Sequence, residues 1–270
     1  TEEKPEPRKE LSWSRFQEAI FKFAQNYQKW TGHLVIKAGA GSGKTTVGVE
    51  FAARLPRGLE VAFVAFNVKI ARTFAAKLPP HVHSSTLHSL GLGNCKNALG
   101  NIKVEGRKLY YIIKGLTDRM EWDRAEIVDQ SVSSIIRLVS LLKANLMDAT
   151  DDNLDYIVDR WNVEVNGDRE VIFATTREAY QKSIEDTATV DFDDMIHLCA
   201  TGRVPCKQFD VLVIDETQDL NKANLEFVCR SVKPGGHIVA VGDENQSIYG
   251  FRGADTDAMP NIIKRLDAKV

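Results

Sequence analysis

The chain has 270 residues, a hydrophobic fraction of 43%, a charged fraction of 27% and a formal net charge of -2. These values are ordinary for a soluble globular protein, and the length suits roughly two domains. No apolar run approaches the roughly 18 residues of a membrane span, and the charged residues 1–10 do not resemble a secretory signal. Composition therefore disfavours membrane-spanning and secreted classes, whereas the near-neutral charge neither indicates nor excludes a nucleic-acid partner.

The first third of the chain predicts alternating helices and strands. Apolar residues at helical spacing predict an amphipathic helix over 12–29. A short apolar strand at 33–37 leads directly into a glycine-rich loop, and residues 45–55 favour the helix that follows it. A second, wholly apolar strand at 61–66 precedes a helix at 67–78. Two strand–helix units in succession predict a parallel sheet with right-handed crossovers.

The middle of the chain carries no chemical motif and is mostly helix-like. The segments are helices at 125–144, 151–161 and 175–187, and a possible hairpin turn at 104–107. Strand patterns return at 209–214 and 237–241. The sequence thus predicts one α/β domain in two parts, 1–93 and 188–270, interrupted by a mostly helical insertion at 94–187.

The glycine-rich segment 38–45 reads Ala-Gly-Ala-Gly-Ser-Gly-Lys-Thr, a variant of the Gly-x4-Gly-Lys-Ser/Thr phosphate loop with alanine first. Its glycines let successive N–H groups face phosphate oxygens, and the following helix adds its positive end. We expect Lys44 to neutralise the β- and γ-phosphates and the Thr45 hydroxyl to bind Mg²⁺. The alternative, a glycine-rich turn without a ligand, is disfavoured by the strand before it and the helix after it. The expected nucleotide contacts here are Ala40, Gly41, Ser42, Gly43, Lys44, Thr45 and Thr46.

Two carboxylates, Asp215 and Glu216, follow the apolar run 211–214 at the end of the predicted strand 209–214. Ligands bind at the carboxyl ends of strands in parallel α/β sheets. We expect Asp215 to hold Mg²⁺ through water and Glu216 to act as the base that deprotonates the attacking water. A second acid favours hydrolysis over the chemistry of a kinase. The alternative is a helix N-cap with a solvated neighbour.

Several motifs resemble those of superfamily 1 DNA helicases of the UvrD/Rep/PcrA group. Residues 215–219 read Asp-Glu-Thr-Gln-Asp, and residues 246–255 read Gln-Ser-Ile-Tyr-Gly-Phe-Arg-Gly-Ala-Asp. The phosphate-loop variant is the form usual in that group. Residues 86–89, Thr-Leu-His-Ser, are similar to its TxHS motif. Residues 191–194, Asp-Phe-Asp-Asp, are similar to its DFDD segment. The resemblance implies a RecA-like P-loop domain with a central parallel sheet, a helical accessory insertion, and ATP and Mg²⁺ as cofactors.

The resemblance also implies individual roles. Gln17 would read the adenine edge, and Gln246 would contact the γ-phosphate and serve as a catalytic group beside Lys44 and Glu216. Aromatic faces and arginine stack on any base, at roughly 1–3 kcal/mol per base. The residues implied to contact the DNA strand are Phe66, Asn67, Thr86, His88, Tyr249, Phe251 and Arg252.

Some of these assignments have packing alternatives. The group more often has Phe-Thr-Asn-Lys where residues 65–69 read Ala-Phe-Asn-Val-Lys, so Phe66 could instead belong to the core. The same alternative applies to Tyr249 and Phe251.

The sequence thus predicts an ATP-dependent helicase motor acting on single-stranded DNA or a single/double-strand junction, in replication, repair or recombination. The 3′-to-5′ polarity comes from the resemblance alone. The group has a second RecA-like domain that donates arginines, so we expect an engineered truncation that binds ATP and hydrolyses it slowly. The alternatives are a nucleotide- and DNA-binding regulatory module without productive turnover, and a nucleotide or small-molecule kinase.

The four scattered cysteines form no CxxC pair, which favours a reducing compartment over a disulfide framework. We therefore expect a cytoplasmic protein, or a nuclear one in a eukaryote, and no membrane partner.

Overall fold

The computed structural model of the protein describes residues 12–39, 43–243 and 258–270. Within them lies one five-stranded sheet in the order β1-β7-β6-β2-β3, with every neighbouring pair parallel. Two further short strands, β4 and β5, also pair in parallel. The strands are β1 Leu34–Lys37, β2 Val61–Ala65, β3 Val82–Thr86, β4 Lys103–Val104, β5 Thr189–Val190, β6 Phe209–Ile214 and β7 Val232–Gly242.

Helices make up most of the remaining described chain. None of these helices combines the length and apolarity needed to cross a membrane. The helices are α1 Arg15–Gln25, α2 Lys44–Ala53, α3 Val68–Ala75, α4 Leu87–Leu99, α5 Lys108–Thr117, α6 Trp122–Asn145, α7 Asp151–Trp161, α8 Arg169–Glu185, α9 Phe192–Ala200, α10 Lys222–Arg230 and α11 Ala258–Leu266. Short 3₁₀ turns occupy Tyr27–Lys29 and Thr217–Asp219.

Strand β2 is apolar throughout, as are residues 211–214 of β6 and 238–241 of β7, because both faces of the sheet are covered here. In β2, Ala62 and Val64 enter one core, whereas Val61, Phe63 and Ala65 enter the core on the opposite face. Residues of α1, α2 and α3 complete the second core, and residues of α4, α9, α10 and α11 complete the first. This confirms the predicted α/β class with a central parallel sheet.

Helices α5 to α8 have an apolar core of their own, which includes the fully buried Ile135, Leu138 and Leu142 of α6. Helix α4 runs without interruption through the predicted boundary at 94, and it packs against α9 on the sheet. The division into 1–93, 94–187 and 188–270 remains our proposal.

The hairpin turn considered for 104–107 was wrong. Lys103–Val104 pairs in parallel with the distant Thr189–Val190, with Lys103 N donating to Ala188 O at 2.9 Å. The helix predicted over 175–187 begins earlier, at Arg169, because the Asp168 side chain accepts hydrogen bonds from the N–H groups of Glu170 and Val171.

His197 of α9 is a buried titratable group in the core between the sheet and the insertion. Its side chain is 4% exposed, and its Nδ1 has no hydrogen-bond partner within the described residues. Burial, and then the positive charge of Lys143, lower the pKa of His197 from 6.5 to about 4. The folded protein therefore keeps this ring neutral at pH values where the unfolded chain protonates it.

We predict that, relative to the wild type, His197→Leu gains stability as the pH drops from 6.5 to 4. Between these values the unfolded chain binds a proton that the folded protein excludes, so His197 contributes stability above pH 6.5 that is lost toward pH 4. At 1.36 kcal/mol per pKa unit the difference is about 3 kcal/mol. Urea unfolding of both proteins at pH 4 and pH 7 measures it.

The matched control is Leu198→Ala, a change in the next residue of the same helix without a titratable group. It should lower stability by the same amount at both pH values. Equal pH dependence in the wild type and His197→Leu would contradict the prediction.

Candidate functional site

The carboxyl ends of the parallel strands meet at one edge of the sheet. Ala38 N donates to Gly242 O at 3.0 Å, so the start of the phosphate loop lies beside the end of β7. Gly43 precedes α2 with φ 78°, a left-handed conformation that glycine adopts without strain. Thr46, like Lys44, lies in the first turn of α2. The predicted contacts Ala40, Gly41 and Ser42 and the Thr45 side chain lie outside the described part of the chain.

Lys44 extends from the start of α2 toward the carboxylates at this edge. Its Nζ lies 3.4 Å from Glu216 Oε2 and 4.0 Å from Asp243 Oδ2, and its side chain is 10% exposed. The ammonium group is therefore held between the residues that follow β6 and β7. This position suits a cation that neutralises a polyphosphate bound at the same edge.

Asp215 is the buried member of the carboxylate pair, with 4% exposure. Burial and the neighbouring charge of Glu216 raise its pKa to about 6, against the opposing effect of Lys44. No cluster of three or more His, Cys, Asp or Glu side chains in the described residues could hold a metal ion. A single buried carboxylate fits Mg²⁺, which proteins commonly hold through one or two carboxylates together with phosphates and water.

Glu216 adopts a left-handed backbone conformation, with φ 52° and ψ 47°. Such a conformation is uncommon and costly for a residue with a Cβ, and it occurs often at functional sites. It turns the chain sharply at the end of β6, so Glu216 N donates to Asp215 Oδ1 at 3.1 Å. The Glu216 side chain, 30% exposed, faces Lys44 rather than capping a helix.

Gln218 links this pair to β7, a role that the sequence did not reveal. Its Nε2 donates to Glu216 Oε2 at 2.7 Å, and its Oε1 accepts from Asp243 N at 2.9 Å. Thr217 Oγ1 adds a bond to Val241 O at 2.8 Å. Gly242 leaves space for this link, because a Cβ there would lie 2.7 Å from Gln218 Oε1. The candidate base is thus oriented from the adjacent strand.

A groove of about 600 Å³ begins at the same edge and includes Asp215 in its wall. It brings together four of the predicted strand contacts: Phe66, Asn67, Thr86 and His88. Asn67 and Thr86 also cap α3 and α4, since their side chains accept from Ile70 N and Ser89 N. Phe66 is half-buried on the groove wall and is not part of either sheet core.

Residues 21–267 match the family described as the UvrD/REP helicase N-terminal domain. The chain belongs to this family. It is 29% identical over 252 residues to the ATP-dependent DNA helicase Rep of Escherichia coli (strain K12), covering 83% of this chain and 36% of Rep. It is 28% identical over 251 residues to the ATP-dependent DNA helicase PcrA of Staphylococcus epidermidis, covering 83% and 33%.

A third relative, the ATP-dependent DNA helicase PcrA of Staphylococcus aureus (strain Mu50), is 28% identical over 254 residues, with the same coverage of 83% and 33%. The chain therefore spans about a third of the length of these relatives. The resemblance inferred from the motifs is confirmed at the level of the UvrD/REP family.

Gln17 has a local structural role besides the one that the family resemblance implies. Its Oε1 accepts from Ser14 N at 2.9 Å, and Ser14 Oγ accepts from Gln17 N at 3.3 Å. These reciprocal bonds form the capping box that begins α1. Helix α1 packs against α2, the helix that follows the phosphate loop. The adenine contact of Gln17 stays a prediction.

Phe192 and Arg137 also line the groove, although the sequence did not predict them as strand contacts. Phe192 of the 191–194 segment is 57% exposed, and its ring centre lies 6.1 Å from that of His88 at 73°. Arg137 reaches the groove from α6, in a segment that carries no motif. The one sequence feature that could have indicated Phe192 is its position as an aromatic residue among three acidic ones. Gln246, Tyr249, Phe251 and Arg252 lie outside the described residues.

We predict that Gly242→Ala lowers the free energy of unfolding by about 1–3 kcal/mol, the usual cost of overpacking. The added Cβ would lie 2.7 Å from Gln218 Oε1 and 3.1 Å from Met259 Sδ, so the link between β6 and β7 must shift. Urea unfolding measures the change. The matched control is Gly58→Ala, where a Cβ meets nothing within 4 Å. A Gly242→Ala protein as stable as the control would contradict the described packing.

Proposed function

We propose that this chain is the ATP-binding motor domain of an ATP-dependent DNA helicase, in which ATP hydrolysis drives movement along single-stranded DNA. The observation that carries the proposal is the shared edge of the sheet. Asp215 borders the groove that holds Phe66, Thr86 and His88, and it directly precedes Glu216, which lies beside Lys44. A nucleotide-dependent change at one site would therefore act on the other through a few bonded residues. The relatives named above carry the same activity in their names.

In the proposed reaction, Lys44 neutralises the β- and γ-phosphates of ATP. The Thr45 hydroxyl and Asp215 would hold Mg²⁺, which neutralises charge on the phosphate oxygens when it is bound. Glu216 orients the attacking water and accepts its proton, and Gln218 holds the Glu216 carboxylate in place. Gln246 would contact the γ-phosphate, and Gln17 would read the adenine edge.

The groove suits a single DNA strand read without regard to sequence. The rings of Phe66, His88 and Phe192 offer faces for stacking, and Arg137 offers a phosphate contact. Asn67 and Thr86 add polar groups to the groove wall. Tyr249, Phe251 and Arg252 would extend this track.

The remaining parts of the proposal rest on the family. A second RecA-like domain would close over the nucleotide and supply arginines, which are worth about 10³–10⁵ in rate in related phosphoryl-transfer enzymes. This domain by itself should therefore hydrolyse ATP slowly. We propose 3′-to-5′ movement, action at single/double-strand junctions, and a cytoplasmic location. The bacterial sources of the relatives give no support to a nuclear one.

The rival proposal is a regulatory module that binds nucleotide and DNA without productive turnover. Against it, Lys44, Asp215 and Glu216 are all present and are brought together at one edge of the sheet. A module freed from catalysis has no need of an uncommon backbone conformation at Glu216, or of a glutamine that holds its carboxylate.

We predict that single-stranded DNA stimulates ATP turnover by this chain and that Glu216→Gln lowers turnover by about 10²–10⁴-fold, as expected for loss of a general base. ATP affinity should change little, because the substitution leaves Lys44 in place. Turnover with and without oligo-dT, and binding of a fluorescent ATP analogue, measure both quantities.

Glu164→Gln, the same change on the exposed surface of the insertion, is the control and should behave as the wild type. If the wild type binds ATP and turns it over at a rate that DNA does not alter, the regulatory module is the better proposal. Unchanged turnover in Glu216→Gln would remove this residue as the base.

We predict that Phe192→Ala weakens binding of oligo-dT by about 5- to 150-fold, the equivalent of one lost base stack. Nucleotide affinity should stay the same. The measurement is the fluorescence anisotropy of a labelled oligonucleotide. Tyr156→Ala removes a comparably exposed ring from α7, away from the groove, and serves as the control. Equal effects of the two substitutions would exclude the groove as the strand site.

A further inference from the structure

Two buried lysines share one carboxylate where the helical insertion meets the sheet layer. Lys108 of α5 and Lys143 of α6 have side chains only 2% and 1% exposed. Each Nζ lies 2.7 Å from an oxygen of Asp194, whose side chain is 1% exposed. Asp194 belongs to α9, which packs on the sheet. The ion pairs therefore cross from the insertion to the sheet layer.

The ammonium group of Lys108 donates three hydrogen bonds, and that of Lys143 donates two. Lys108 Nζ donates to Asp194 Oδ2 and to the carbonyl oxygens of Ser183 and Asp186, each at 2.7–2.8 Å. Lys143 Nζ donates to Asp194 Oδ1 and Ser183 Oγ, both at 2.7 Å. Although burial alone would raise the pKa of Asp194, the two lysines hold it below the usual value. Helices α5, α6 and α8 thus converge on the start of α9.

A third bond joins the same two parts of the molecule. Ser140 Oγ of α6 donates to Asp193 Oδ2 at 2.6 Å. We call Lys108, Ser140, Lys143, Asp193 and Asp194 the junction cluster.

Phe192 lies next to the two carboxylates of the junction cluster. It is preceded by Asp191, which forms a capping box with Asp194, so the backbone on both sides of Phe192 is fixed. Its own side chain is 57% exposed on the groove. The acidic residues on either side of Phe192 are therefore held by hydrogen bonds, and the Phe192 ring itself faces the groove.

Stability alone does not explain a buried cluster of this kind. Replacing buried ion pairs by well-packed apolar residues is often neutral or stabilising, because removing charges from water is costly. Apolar contacts are also non-directional, whereas bonds to a carboxylate fix distance and orientation. A cluster of charges at this junction therefore suits a role in alignment.

We propose that the junction cluster positions Phe192 for the DNA strand, so that the helical insertion sets the geometry of the strand-binding groove. This inference rests on the proposed function, since it assumes that the groove binds the DNA strand of a helicase motor. The members of the cluster are positioning residues, because they act through Phe192. Helix α6 carries Ser140 and Lys143 of the cluster as well as Arg137, and all three line the groove together with Phe192.

The test uses Ser140→Ala, which removes one bond of the cluster without removing a buried charge. The control is Ser131→Ala on the same helix, where the buried hydroxyl donates to Asn166 O at 3.1 Å within the insertion. Two quantities are measured: affinity for labelled oligo-dT, and hydrogen exchange of the backbone amides of residues 191–195 without DNA. Ser140→Ala should weaken DNA binding on the order of tenfold and speed this exchange. Ser131→Ala should do neither. Ser140→Thr, which keeps the hydroxyl, should match the wild type in both DNA affinity and exchange rate.

A double-mutant cycle separates positioning from general loss of structure. In a Phe192→Ala background, Ser140→Ala should no longer affect DNA binding, because the positioned ring is gone. A persisting effect would overturn the inference, as would exchange rates in Ser140→Ala equal to those in the wild type. A wild type that fails to bind oligo-dT would contradict the proposed function instead. The exchange measurement would still decide whether the cluster holds residues 191–195.

Discussion

Strand β6 lies between β2 and β7, and its hydrogen bonds to both strands fix the positions of the proposed chemical groups. Ile214 pairs with Val64 on one side and Ala240 on the other, and Asp215 N donates to Val64 O at 3.0 Å. Because all three strands run in the same direction, their carboxyl ends deliver Phe66, Asp215 and Asp243 to one edge. A shift of one residue in β6 would turn its side chains to the opposite faces and move the carboxylates away from Lys44.

The link through Gln218 explains how a nucleotide site at this edge can be coupled to a strand-binding surface. One amide group bonds to the proposed base with its nitrogen and to the backbone after β7 with its oxygen. The chain beyond Asp243 leads to the segment that contains Gln246 and Arg252. A displacement of Glu216 would therefore also act on the bond to Asp243, because both bonds are made by the same planar amide. In the proposed motor, this coupling would pass through hydrogen bonds over a few residues.

The sequence predicted the parts of the fold whose signals are local. The strand at 209–214 and the helix at 151–161 match the structure, because one contains the apolar run 211–214 and the other begins at the Thr150 cap. Strand β3 and helices α4, α5, α9, α10 and α11 were not predicted. Helix α9, for example, begins within an acidic motif, and its capping box depends on a pair of hydrogen bonds. The phosphate loop, Lys44 and the carboxylate pair follow from motif and spacing. Gln218 could not be assigned, because its partner Asp243 is 25 residues away. Lys108 and Asp194 are separated by 86 residues, and no pattern in the chain indicates their contact.

The junction between the insertion and the sheet differs in character from the cores on either side of it. Both cores are apolar, and apolar packing tolerates exchanges of similar volume and small adjustments of neighbouring helices. At the start of α9 the contact is instead made by lysines and carboxylates that are withdrawn from water. Breaking one partner of a buried pair is strongly destabilising, because it leaves an uncompensated charge. Helix α6 cannot slide along α9 without breaking such bonds, so the insertion and the groove wall must move together or not at all. An insertion joined in this way would form part of the proposed strand-binding surface.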